Sequence, residues 1–294
     1  MNKELTALIN LLEDPDPEVI KSIIPQIQAY GLSAIEPLDK AIEAAVSSEH
    51  FHRIEDLVSE IKFDNTRNRT AKWISSGICD LQVGYQTVCE LVNPPEQVPP
   101  DYQQISLFND IRNEIWLELN KNLTALEKIR VLNFFFYEKH GYHQDIKNPD
   151  HLSRFSLTRL SANKIGNEQS ILAAYSIISR NLDLPIYGVN IPGLSLLAYL
   201  DLPFSPKPGF NPSKSPVLFF IHPGENGRIF GIEEVKYFLT KFYPEMINQP
   251  IQPSSNSIMV KHFTRALLKS SKKLGKNETQ RRARDLLSLW ESTV

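Results

Sequence analysis

The chain reads as an α+β protein, helical towards both ends, with a small sheet of short strands between. Three observations predict this. Apolar residues recur every three to four positions through most of the sequence, the period of a helix with one buried face. After about Leu182 the period changes, and Ile186–Ile191, Ser195–Leu200 and Val217–Ile221 are short β-type runs bounded by prolines. Twelve glycines against twenty prolines in 294 residues fit helices joined by proline-marked turns.

The elements follow in order. Asp14-Pro15-Asp16-Pro17-Glu18 is a turn and a helix start, since proline suits the first helical position and acids there complement the helix dipole. Ile20, Ile24, Ile27 and Tyr30 give that helix its apolar stripe, and Gly31 is a stop. A second helix opens at Leu32 and runs through Ile42 and Ala45, a weaker segment follows from Phe51 to Ile61, and residues 65 to 93 read as two more helices. The prolines at 94, 95, 99 and 100 mark a linker. Periodicity resumes at Ile105, Phe108, Ile111, Ile115 and Leu119, and again from Leu126 to Phe136, with Gly141 as the stop. A helix is predicted around Leu152 to Lys164, and an apolar one from Glu168 to Leu182. Four prolines between 203 and 212 mark a long loop, Gly231 opens another helix, and residues 258 to 292 form a final helical pair broken near Gly275. The division expected is an all-helical region at 1–93, a core at 101–250 and a helical hairpin at 256–294.

Composition excludes several classes. The length fits about two domains, and 41% hydrophobic with 22% charged residues is a globular mix. A formal charge of −2 gives no hint of a polyanionic partner. Two cysteines, Cys79 and Cys89, cannot build a disulfide scaffold or a cysteine-rich zinc site. No apolar run reaches membrane-spanning length and Met-Asn-Lys-Glu-Leu lacks a signal-peptide core, so the expected location is the cytoplasm. No Gly-x-Gly-x-x-Gly, Walker or Gly-x-Ser-x-Gly motif occurs, and no cofactor is expected.

The stretch from Leu132 to Val235 carries a resemblance. In order it reads Leu132-Asn133-Phe134-Phe135-Phe136-Tyr137-Glu138-Lys139-His140-Gly141-Tyr142, Gly166-Asn167 before an apolar helix, Leu184-Pro185-Ile186-Tyr187-Gly188-Val189-Asn190-Ile191-Pro192-Gly193, then Phe220-Ile221-His222-Pro223 and Gly227. This series resembles the SirB-like branch of the transglutaminase-like superfamily. The final helical pair is similar to the tetratricopeptide-like hairpin of that branch, and the turn at Asp14 with the Gly31–Leu38 segment resembles one HEAT-type repeat, an irregular helical cap being the alternative. The resemblance implies a papain-like core in which a helix carries a nucleophile at its N-terminus and packs on an antiparallel sheet bearing the other two triad positions. A cysteine thiolate is stabilised at such a helix end, a histidine takes its proton, and an acid orients the histidine.

This chain departs from that pattern at every position. The superfamily cysteine falls at Glu168. The histidine string Pro-Gly-His-Phe reads Pro192-Gly193-Leu194-Ser195, and the aspartate string Ile-Asp-Pro-Phe reads Ile221-His222-Pro223-Gly224. A catalytically inactive scaffold that binds a protein or peptide is therefore the expected function. The alternative is a hydrolase or acyl transferase of altered mechanism using Glu168, Ser170 or His222. Because His222 occupies the position farthest from the nucleophile, with Leu194 between, a Glu168–His222 or Ser170–His222 pair is expected to require a rearranged sheet.

Other candidates are weaker. His140, His143, Asp145, Asp150 and His151 have the donor types of a metal site but are read as a solvated loop, and no metal is expected. Asn122-Leu123-Thr124 and Asn277-Glu278-Thr279 match the glycosylation sequon, which means nothing without a secretory signal. Trp116, the Phe134–Phe136 run and Tyr187 are read as packing. Charge is uneven: residues 1 to 60 hold twelve acids against four bases, a net −8, and residues 261 to 285 carry a net +7. Lys269, Lys272, Lys273, Arg281, Arg282 and Arg284 form a possible binding patch there. Phe263, Leu267, Leu268, Leu274 and Trp290 run beside the basic stripe, so the hairpin is expected to dock its apolar side on the core. Its basic side would then face solvent or an acidic surface, of a partner or of residues 1 to 60. Nucleic acid is disfavoured as a partner.

Overall fold

The computed structural model describes residues 3–45, 47–77, 79–92, 107–189, 191, 194–202, 216–244 and 251–291. The linker prolines 94, 95, 99 and 100, Ile105, the positions Asn190, Pro192 and Gly193, and the loop prolines 203, 206, 208 and 212 lie outside the described residues. The chain divides into two compact units, Met1–Lys72 and Trp73–Val294.

The first unit is built on α1 (Lys3–Asn10), α2 (Pro17–Ala29), α3 (Ile35–Ala44) and the greater part of α4 (Ser48–Ser75). Asp16 caps α2 by accepting the Glu18 N–H at 2.9 Å, Pro17 is the first helical residue, and Gly31 follows the helix at a φ of +56°. Leu5, Leu12, Ile27, Leu38 and Ile54 form the centre of its core. The segment Phe51–Ile61 is not a separate element: α4 runs unbroken for 28 residues. Between Pro37 and Gly77 the sequence holds neither proline nor glycine, so nothing in that stretch forces the stop expected before residue 65.

The second unit holds α5 (Leu81–Cys89), α6 (Asn109–Glu118), α7 (Ala125–Asn133), α8 (Leu157–Asn163), α9 (Glu168–Asn181), α10 (Ile232–Phe242), α11 (Asn256–Lys273) and α12 (Asn277–Leu289). Its main sheet is antiparallel, in the order β3 (Ile186–Gly188), β4 (Leu197–Leu200), β5 (Val217–His222), β6 (Arg228–Phe230). A short parallel pair, β1 (His143–Gln144) and β2 (Ile165–Gly166), lies just before α9 in the chain. The three sequence-predicted runs are thus antiparallel strands. The fourth, β6, had a local signal in Asn226-Gly227, a pair suited to tight hairpin turns. Both residues are left-handed, with φ of +52° and +70°. A Cβ on Gly227 would also lie 2.1 Å from the Asn133 side chain, so glycine is required there twice over.

The helix α9 is buried from Ser170 to Ser179 without interruption. It packs on β3 and on the turn after β5. Registers Tyr187↔Ala198 and Ala198↔Phe220 put these residues on one face of the sheet, where Val235 and Leu239 of α10 join them in one cluster. The hairpin α11–α12 docks through Phe263, Leu267 and Leu286, all buried, with Phe263 meeting Tyr85 of α5 edge-on at 5.1 Å and Trp290 meeting Trp73 at 6.5 Å. Its basic side is outward, but Leu274 is exposed rather than packed.

Three local expectations change. The predicted helix Leu152–Lys164 is a tight 3₁₀ turn, Leu152–Phe155, followed by α8, because the Ser156 hydroxyl starts a new helix by accepting the Arg159 N–H. After α7 the helix widens into a π turn, Phe134–Lys139, which buries Phe135 and Phe136 but leaves Phe134 exposed. Trp116 is 58% exposed, since Ile111 and Ile115 take the buried face of α6 and the neighbouring position is turned away from it.

Truncating Ile178, which is fully buried on α9, to alanine is expected to cost about 2–5 kcal/mol in urea unfolding. Leu117→Ala on the exposed side of α6 is expected to stay within about 0.5 kcal/mol of wild type. Equal effects would contradict α9 as the centre of the core.

Candidate functional site

The site lies where the N-terminus of α9 meets the end of the sheet. Gly166 and Asn167 position that end. Asn167 Oδ1 accepts the Ser170 N–H at 2.9 Å, and the Ser170 hydroxyl accepts the Asn167 N–H at 3.0 Å, a reciprocal capping box. A Cβ on Gly166 would fall 2.2 Å from the Ser170 hydroxyl oxygen, so the glycine lets the cap close. Ser170 is fully buried and its hydroxyl also donates to the Asn167 carbonyl. The Ser170 oxygen is thus engaged in the helix start.

Glu168, the first residue of α9, projects from the first turn with its side chain 42% exposed. His222, the last residue of β5, is 7% exposed. Its Nε2 lies 3.9 Å from Glu168 Oε1. The expectation that these two would meet only in a rearranged sheet is therefore wrong. His222 shares the face of Phe220, two residues earlier, and the long glutamate side chain spans the remaining gap. At 3.9 Å the pair is a close approach and not a hydrogen bond. His222 Nδ1 is buried with no hydrogen-bond partner among the described residues. A proton there would have nothing to receive it, which favours the tautomer with its proton on Nε2, towards the carboxylate.

The turn carrying His222 is held from behind by α7 and the π turn. The Tyr137 hydroxyl donates to the Pro223 carbonyl at 2.7 Å, and the Asn133 amide donates to the Gly227 carbonyl at 3.0 Å. Tyr175 of α9 donates to Asn133 Oδ1 at 2.8 Å. The apolar motif around Leu132–Tyr142 thus fixes the loop after β5.

Two cavities meet at this point, and Leu194 and Leu196 line both. One, of about 560 Å³, runs between the sheet end and α10, with His222, Phe230, Val235 and Phe238 in its walls. The other, of about 380 Å³, lies on the Glu168 side.

The remaining candidates are tied into the fold. His140 contacts Glu114 at 2.7 Å and His143 Nδ1 contacts the Gly141 carbonyl at 2.8 Å. Asp145 pairs with Arg154 at 2.8 Å, and His151 Nδ1 contacts the Ser153 hydroxyl at 2.7 Å. Asp150 accepts from Ser270 and Lys273, both at 2.8 Å, which hold its carboxyl below its usual range. No group of three potential metal ligands gathers among the described residues. Cys89 is buried, its thiol donates to the Phe155 carbonyl, and burial pushes that thiol up to about 12. Cys79 sits in the turn before α5, not in a helix, at a φ of +43°. Tyr187 is buried and stacks under Arg180 at 4.4 Å. The basic patch is divided: Lys273 pairs with Asp150, Arg282 with Glu278 at 2.7 Å and Arg281 with Asp285 at 3.7 Å. Lys269 lines the smaller cavity, and Lys272 and Arg284 face solvent.

Two outcomes are expected. Ser170→Ala takes from the buried Asn167 N–H its 3.0 Å acceptor and leaves it the longer one, the Arg154 carbonyl at 3.3 Å, and should cost about 0.5–1.5 kcal/mol in denaturant unfolding. His262 on α11 is held below its usual range by burial first and by Arg265 and Lys261 second. The unfolded state then binds the extra proton first, so this contribution is full above about pH 6.5 and is lost as pH falls through the depressed folded value. His262→Gln should lose less stability than wild type as pH falls below about 6.5; identical pH profiles would refute the assignment.

Among the described residues no helix is long and apolar enough to cross a membrane. No curated protein and no solved structure matches the chain. A family model described as the transglutaminase-like superfamily matches residues 105–265, more than half of the sequence, and takes in α9, the whole main sheet and the residues at both ends of the Glu168–His222 contact. The chain belongs to the transglutaminase-like superfamily.

Proposed function

We propose that this chain is a catalytically inactive transglutaminase-like scaffold of the SirB-like type, which binds a peptide or protein segment in the cleft beside Leu194. One observation carries the reading: a cleft of about 560 Å³ with apolar walls accompanies a helix start that offers Glu168 instead of a nucleophile. Thioester chemistry needs a thiolate near a base. Cys89 is buried with its proton held, and Ser170 is locked in the cap. A concave apolar surface with a few polar groups keeps its capacity to bind when the chemistry is lost. A HEAT-like reading of the first helices would add a second peptide-binding surface. Two free thiols suit the reducing cytoplasm, and a basic patch already divided among ion pairs argues against nucleic acid.

A second reading has one observation in its favour. The 3.9 Å contact between Glu168 and His222 joins a carboxylate to an imidazole at the mouth of a cleft, the components of a base that activates water. A panel of amide, ester and glutamine-donor substrates separates the two. The scaffold predicts no turnover with wild type; turnover that vanishes in Glu168→Ala and His222→Asn establishes the enzyme. For binding, a displayed peptide library should yield peptides with a large apolar residue whose affinity falls by about tenfold or more in Leu194→Asp. If wild type and Leu194→Asp enrich the same peptides equally, the cleft is not the binding site.

A further inference from the structure

The smaller cavity has a chemistry of its own. Its floor is apolar, with Leu172 of α9, Val189 beyond β3 and Met259 of α11. Its walls carry one acid and one base, Glu168 and Lys269, together with Gln169, Ser195, Ser254 and His262. His262 stays uncharged near neutrality, because burial and the neighbouring Arg265 and Lys261 oppose its protonation. The wall is therefore neutral as a whole but dipolar, with an anion supplied by one helix and a cation by another.

Both charges are solvent-accessible and neither is held in a close ion pair among the described residues, although Lys269 is near enough to Asp150 to help hold that carboxyl down. Lys269 forms no ion pair among the described residues, the carboxylate nearest it in the hairpin region, Asp150, being taken by Lys273 and Ser270. The charged contact of Glu168 is the loose one to His222 at 3.9 Å. Between them stands an ordered polar pair: the Gln169 amide donates to the Ser195 hydroxyl oxygen at 2.8 Å. That bond orients the amide and leaves its carbonyl oxygen and the Ser195 proton available to a ligand. A volume of about 380 Å³ lies at the lower end of the range of small-molecule sites.

We propose that this cavity binds a free α-amino acid with an aliphatic side chain, its ammonium group at Glu168, its carboxylate at Lys269 and its side chain on the Leu172–Met259 floor. A zwitterion is the ligand class that meets both charges at once with charge-assisted contacts at each end. A lone anion or a lone cation would meet one and be repelled by the other. The cavity adjoins the peptide cleft at Leu194 and Leu196, but the charged groups invoked here, Glu168 and Lys269, line this cavity and not the other, so the proposal does not depend on peptide binding there.

Isothermal titration of the whole protein with leucine and with methionine tests this. Saturable binding is expected, weakened by about tenfold or more in Lys269→Met and in Glu168→Gln, each of which deletes one charge-assisted contact. Lys272→Met, the same charge change at a solvent-facing neighbour, should bind as wild type does. N-acetyl-leucine and leucinamide, each lacking one charge, should lose affinity to the same degree as the variants. The assignment is overturned if neither amino acid binds, if the blocked derivatives bind as well as the free ones, or if Lys269→Met binds like Lys272→Met. The titration reads this cavity and the peptide library reads the other, so either result can fail alone.

Discussion

Burying ten consecutive residues of α9, Ser170 to Ser179, sets the terms for the rest of the second unit. A helix surrounded by protein cannot leave its polar groups to water, so each needs a partner in the fold. Ser176 and Ser179 return their hydroxyls to carbonyls one turn back, at 2.7 Å each. Tyr175 reaches Asn133, and Asn167 with Ser170 closes the start. The sheet supplies the apolar cover on one side and the hairpin helices supply it on another. The helix emerges at its two ends, and the N-terminal one, with Glu168 and Gln169, emerges into a cavity.

Much of this was legible in local sequence. The apolar density of Ile171 to Ile178 is visible as a helix with no polar face, and the runs before and after Leu194 are apolar over about six residues and bounded by prolines, the length of short strands. What was hidden depends on distance in the chain. Nothing near Glu168 signals that His222, 54 positions later, ends within 3.9 Å of it, because that approach is set by the strand register and by side-chain length. The exposure of Trp116 was hidden for a different reason: residue type suggested burial, but one step along a helix is a rotation of about 100° and removes a side chain from the stripe. The strand β6 was recoverable from Asn226-Gly227. The π turn at Phe134–Lys139 was not, since it carries the same residues that an ordinary helix would.

Glu168 and His222 approach one another at the end of the sheet, and Leu194 lines both cavities beside them. A chamber walled largely by apolar side chains and one with an acid and a base in its walls thus share a boundary of two leucines, Leu194 and Leu196.

The segment leading into α11 has a role beyond connecting elements. The Ser254 N–H donates to the Gly188 carbonyl at 2.7 Å, and Pro253 bridges Val189, so this stretch lies along the outer side of β3. An uncovered border strand is a template on which other chains can add. Proline here is well chosen, since it contributes no donor of its own and ends the ladder outward. The helical hairpin that follows is thereby fastened to the strand whose border this stretch covers.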